Sequence, residues 1–118
     1  MKKCIVAVAF AALVAFGAAA QAGHIRGPQV GIARCEANAT VTFYETFRGG
    51  EAAEVAIHGD GTTDLDVFVY DMNGHLVAQG TGITDRELVR WFVPQTGTYR
   101  IVVRNLGRVW NRFGIATN

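Results

Sequence analysis

Serine is missing from all 118 residues, which excludes a Ser-His-Asp hydrolase at once. Cysteine occurs only twice, as Cys4 and Cys35. A disulfide scaffold is excluded, because Cys4 lies in a leader that export would remove and Cys35 cannot pair with itself. Lysine occurs only at Lys2 and Lys3, so the chain beyond residue 22 carries nine Arg and no Lys against ten Asp and Glu. Its net charge is then about −1. A near-neutral balance gives no clustered positive field and argues against nucleic-acid binding. No Ser/Pro-rich linker, low-complexity tract or internal repeat interrupts the chain. Apolar residues make up 50% and charged residues 18%, so the chain is not a disordered tail.

What is present begins with an export signal. Lys2 and Lys3 form a positive start, Ile5–Phe16 is an apolar run, and Ala20-Gln21-Ala22 is a small-residue cleavage site. Residues 1–22 read as a secretory signal peptide cut between Ala22 and Gly23, which implies a secreted or periplasmic protein. The apolar run is short of the roughly 20 residues a membrane span needs, so no span is expected after signal removal. The remaining 96 residues suffice for one small domain with one core.

Beyond the signal, residues 23–38 read as an N-terminal leader, loose at Gly23–Pro28, with a candidate first strand at Gln29–Cys35. Residues 39–118 read as the domain. Short apolar runs alternate there with turn signals, and no sustained 3.6-residue period exists. Strands are expected at Thr40–Phe47, Glu51–His58, Leu65–Asp71, His75–Gln79, Glu87–Val93, Thr98–Asn105 and Val109–Ala116. Arg48-Gly49-Gly50, Asn73-Gly74 and Pro94–Gly97 are the turns between neighbouring runs. Seven or eight short strands with regular spacing imply an all-β antiparallel sandwich or jelly roll. Alternation puts Leu65, Val67, Val69, Val89, Trp91, Val93, Tyr99, Ile101, Val103, Phe113 and Ile115 inside. The same parity puts Asp66, Phe68, Tyr70, Arg90, Phe92, Arg100, Arg104, Trp110 and Arg112 outside.

Aromatic and Arg side chains are enriched in binding patches. Phe68, Tyr70, Arg90, Phe92 and Trp110 are therefore candidate binding residues, against the alternative that they brace the sheet through cation–π contacts. Asp60, Asp64, Asp66 and Asp71 are candidate calcium ligands, since hard cations want several oxygen donors. The competing reading makes these aspartates turn residues. The three histidines lack zinc spacing. Cys35 reads as a buried thiol rather than a nucleophile. Glu45 and Glu54 could be paired carboxylates, but solvated strand faces explain them better.

Gly49-Gly50-Glu51, the Asp64–Asp71 run DLDVFVYD, Asn73-Gly74, Leu76-Val77-Ala78 and Thr96–Val103 (TGTYRIVV) appear in order. This set resembles the bacterial pre-peptidase C-terminal domain. The resemblance implies a β-sandwich related to collagen-binding modules, without an active site and in some members with bound calcium. It implies an exported non-catalytic module that binds an extracellular protein or polysaccharide or serves a secreted peptidase. No peptidase stands before the domain in this sequence. The alternatives are a small secreted hydrolase and a purely structural cell-surface interaction domain.

Overall fold

The computed structural model describes residues 3–5 and 23–118. The expected signal peptide and the Ala22 side of its cleavage site lie outside the described residues, the backbone of 3–5 excepted. The strands are β1 (Lys3–Ile5), β2 (Gln29–Cys35), β3 (Thr40–Phe47), β4 (Glu51–His58), β5 (Leu65–Tyr70), β6 (Leu76–Gly80), β7 (Arg86–Val93), β8 (Gly97–Asn105) and β9 (Asn111–Thr117). The strands β2 to β9 form two four-stranded antiparallel sheets, ordered β3-β8-β5-β6 and β2-β9-β4-β7, and β1 lies parallel along β3. The protein is an all-β sandwich, and no described residue is helical.

Alternation builds this core. All eleven residues expected inside are buried. Val41, Phe43 and Phe47 join them from β3, and Ala53, Val55 and Ile57 from β4. Edge-to-face ring contacts tie the layers together. Phe43 meets Phe113 at 6.2 Å between centroids, and Phe47 meets Trp91 at 5.1 Å and Tyr99 at 6.1 Å. Such pairs add stabilisation beyond area burial. Cys35 is fully buried, and its thiol donates to the Ala39 carbonyl at 3.2 Å.

Two local expectations need correction. Gly23–Pro28 is not loose. The amide of His24 donates to the Asn118 carbonyl at 2.8 Å, that of Ile25 to Thr46 at 3.0 Å, and that of Arg48 to Gly23 at 2.8 Å. The His24 ring is buried edge-on against Phe47 and bonds Glu45 at 2.7 Å, so the segment docks as a polar staple with an aromatic anchor. The Asn73-Gly74 turn is present as expected: the Asp71 carbonyl accepts the Gly74 amide at 3.0 Å, and Gly74 takes the positive φ. The last strand starts at Asn111, not Val109. The Asn111 side chain is buried in a hydrogen-bond network, which holds Val109 and Trp110 in the preceding loop.

Candidate functional site

The four aspartates proposed as calcium ligands do not converge. Asp71 sits at the far end of β5 from Asp66, about 17 Å away at roughly 3.3 Å per residue. Its carboxylate accepts the amides of Asn73 and His75, each at 2.9 Å. The His75 amide first, and then the Asn73 amide and the His75 ring, hold its pKa below the ordinary carboxylate value. Asp60 is likewise engaged. One carboxylate oxygen accepts the Thr62 hydroxyl at 2.5 Å and the Thr62 amide at 3.1 Å; the other accepts the Arg112 amide at 3.0 Å. These bonds, the Thr62 hydroxyl foremost, lower its pKa. Both residues behave as turn aspartates.

Asp64 and Asp66 differ. Each has one carboxylate oxygen buried without a hydrogen-bond partner. Burial raises the pKa of Asp64, and the charge of Asp85 raises it further. Burial also raises that of Asp66, Asp64 adds to the rise, and Arg104 partly offsets it. Asp66 has the expected outward parity but is only 8% exposed. Glu87, from β7, completes the acidic end. Its pKa is raised by burial, despite the amide of Gly82 donating at 2.8 Å, and Asp66 and Asp64 contribute. Asp85 is the organiser that sequence reasoning missed. Its carboxylate accepts the Gly61 amide at 2.6 Å and the Asn111 side-chain amide at 3.1 Å, and its carbonyl accepts the Gly59 amide at 2.9 Å. The loops 61–64 and 83–86 leave an open depression of about 540 Å³ between them. Among the described residues, no group of three or more His, Cys, Asp or Glu is arranged to hold a metal ion.

The five aromatic and Arg candidates separate onto two faces. Phe68 and Tyr70 lie on the outer face of the β3-β8-β5-β6 sheet, where the Arg100 guanidinium stacks 4.4 Å from the Tyr70 centroid. Arg90 and Phe92 lie on the outer face of the other sheet, with Arg90 bonded to Glu54. Trp110 sits at the rim of that same side, under the Arg34 guanidinium at 4.3 Å. Tyr70 and Trp110 therefore brace Arg side chains, whereas Phe92 is 66% exposed with no ring or guanidinium stacked on it among the described residues.

Phe92 has company that the sequence reading did not single out. Ile32 is 62% exposed and Leu88 64% exposed, both on the same outer face. The registers place Val30, Ala116, Ala56 and Leu88 in one row across β2, β9, β4 and β7, and Ile32, Gly114, His58 and Arg86 in the next. The parity signal was available at Ile32 and Leu88, but it registers only once the strand order puts their strands on one sheet.

Among the described residues, the catalytic candidates weighed from the sequence are not brought together. Cys35 is sealed from solvent. Glu45 pairs with His24 on one sheet and Glu54 with Arg90 on the other, so they cannot act on one bond.

No family model matches the chain, and no curated protein matches it in sequence. Solved structures do. The pre-peptidase C-terminal domain of a Bacillus anthracis collagenase superposes with a TM-score of 0.60 at 8% identity, covering 75% of this chain and 87% of that one. The fold is similar to a pre-peptidase C-terminal domain. Aeromonas hydrophila PliG, a periplasmic inhibitor of g-type lysozyme, superposes with a TM-score of 0.63 at 15% identity, covering 99% of this chain and 96% of that one. The Yersinia pseudotuberculosis-derived mitogen gives 0.51 at 9% identity, covering 77% and 84%. The family resemblance thus holds at the level of the fold. Among the described residues, no helix is long and apolar enough to cross a membrane.

Proposed function

We propose that the protein is exported, loses residues 1–22, and acts as a non-catalytic module that binds an extracellular protein or polysaccharide. One observation carries this reading. Three large apolar side chains, Ile32, Leu88 and Phe92, stand more than 60% exposed around small residues on one sheet face. Scattered apolar residues on a surface are ordinary, but three of this size on one sheet face support an interaction site. The periplasmic setting of PliG and the resemblance to a peptidase-associated domain support export and an accessory role, including service to a separate secreted peptidase.

The test compares capture from a cell-surface or periplasmic fraction by residues 23–118 and by the Leu88→Glu/Phe92→Glu double variant. Capture by the native protein and its loss in the double variant is the expected result. Equal capture by both would remove this face from the function. A hydrolase screen covers the enzymatic alternative, and turnover abolished by Cys35→Ala would overturn the reading.

Calcium stays in this proposal only through Asp64 and Asp66. Their unpartnered buried oxygens favour a cation, while Asp60 and Asp71 are occupied by turn hydrogen bonds. Two carboxylates leave most of a calcium shell to backbone oxygens and water.

A further inference from the structure

Resting on the binding-module reading, we propose that the outer face of the β2-β9-β4-β7 sheet is a trough that seats one amphipathic α-helix of a partner protein, apolar stripe downward and acidic side chains along its flanks. Gly114, Ala116, Ala56 and Ala52 are the small residues of the floor, with Glu54 and His58 alternating with the alanines along β4. Val30 on β2 faces Leu88 on β7 across one row; Ile32 lies in the next row, opposite Arg86, and Phe92 lies two rows the other way, beside Ala52. Three strand spacings separate Val30 from Leu88, about 14 Å. A helix with its side chains is about 10–12 Å across, so its lower face rests on the small residues between Val30 and Leu88. Leu88 and Phe92 are roughly 13 Å apart along the strand. Anchors at positions i and i+8 of a helix span about 12 Å and match that distance. Apolar anchors in a groove are the usual mode by which amphipathic helices are recognised.

Charge selects the helix. Arg34, Arg112, His58, Arg86 and Arg90 surround or punctuate the trough, whereas Glu54 is the acidic side chain within it. Arg90 pairs with Glu54 and Arg34 with Glu36. Arg86 and Arg112 form no ion pair among the described residues. The chain beyond residue 22 carries more acid than base, so this positive excess is local. An acidic partner is attracted to it, and a second copy presenting the same Arg side chains is repelled. A polysaccharide would want ring platforms flanked by hydrogen-bonding groups. Here Phe92 stands beside aliphatic side chains, and the other ring, Trp110 at the rim, is already covered by the Arg34 guanidinium.

Two synthetic 16-residue helices with the same Leu/Ala stripe, one flanked by Glu and one by Lys, test the proposal against isotope-labelled residues 23–118. The Glu-flanked peptide should bind saturably and shift the amides of Ile32, Ala56, Leu88, Phe92 and Gly114. Its affinity should fall at least tenfold with Lys flanks, and at least tenfold in Leu88→Glu and in Phe92→Glu, variants whose melting temperatures stay native-like. Equal affinity for both peptides, or shifts confined to another surface, overturns the proposal. So does a concentration-dependent dimer that Leu88→Glu dissociates, which would give the face to a second copy. Failure of both peptides while Leu88→Glu/Phe92→Glu still abolishes partner capture overturns the helix and leaves the binding face standing. Capture that survives the double variant overturns both.

Discussion

The carboxylate of Asp85 and the side-chain amide of Asn111 meet at 3.1 Å inside one end of the sandwich. Asn111 also donates to the Thr63 hydroxyl at 3.0 Å and accepts the Asp60 amide at 3.3 Å, so two loops converge on one fully buried side chain. Removing one partner from a buried hydrogen bond leaves the other unsatisfied, at about 1–3 kcal/mol. Asn111→Ala should therefore lower unfolding free energy by about that amount, read from urea titration with an unchanged m-value. A loss below measurement error would show that the loops hold themselves.

The acidic end gives stability a distinctive pH dependence. Asp64, Asp66 and Glu87 have pKa values raised above their unfolded values, so their ionisation opposes folding. That cost is full at neutral pH, shrinks as pH falls through the raised values, and vanishes below the ordinary 3.8 of Asp and 4.5 of Glu. Asp60 and Asp71, with lowered values, stabilise above 3.8 and lose that contribution as pH falls further. Melting temperature should thus rise from pH 7 toward mildly acidic conditions and then fall below about pH 4. Asp66→Asn should raise the melting temperature at pH 7 by a few degrees and flatten the acidic rise. A lower melting temperature in Asp66→Asn at pH 7 would refute the charge-strain account.

Calcium is checked by the same strained pair. Millimolar calcium should raise the melting temperature relative to chelator, since a ligand bound only by the folded state stabilises it. Asp64→Ala/Asp66→Ala should abolish the rise, and Asp71→Ala should leave it intact because Asp71 lies at the other end of β5. Coincident melts with calcium and chelator would remove calcium from the function.

Export predicts that secreted material begins at Gly23, as read by N-terminal sequencing, and an intact Met1 in the membrane fraction would reject it. Gly23 has φ +101°, and a methyl group there would run into the Asn118 side chain. Gly23→Ala should leave the cleavage site readable but weaken the folded domain by about 1–3 kcal/mol, through backbone strain and the clash. Native-like stability in Gly23→Ala would show that this terminus is not held.

Much of the architecture could be read from alternation alone. Thr40–Phe47 and Glu51–His58 carry a period of two with one apolar face, and the structure has strands over those same residues. The inner set followed because parity is a local property of a strand. The functional face was less legible, because it depends on which strands become neighbours. Phe68 and Phe92 look equivalent in sequence and end on opposite sheets. The docking of His24 was invisible for a related reason: its partners, Glu45, Phe47 and Asn118, are distant in sequence. Asp66 illustrates a third limit, since parity predicts direction and not burial.

The buried position of Gly23 imposes an order of events. Its nitrogen faces Glu51 at 3.4 Å, its carbonyl accepts the Arg48 amide, and the C-terminal Asn118 closes over it. A protease needs an extended, accessible backbone around the bond it cuts. In the proposed maturation, leader removal therefore comes before the first and last residues of the sandwich lock together. The proposed cut would also turn a neutral amide into an ammonium beside the Glu51 carboxylate, and so add an ion pair at this terminus.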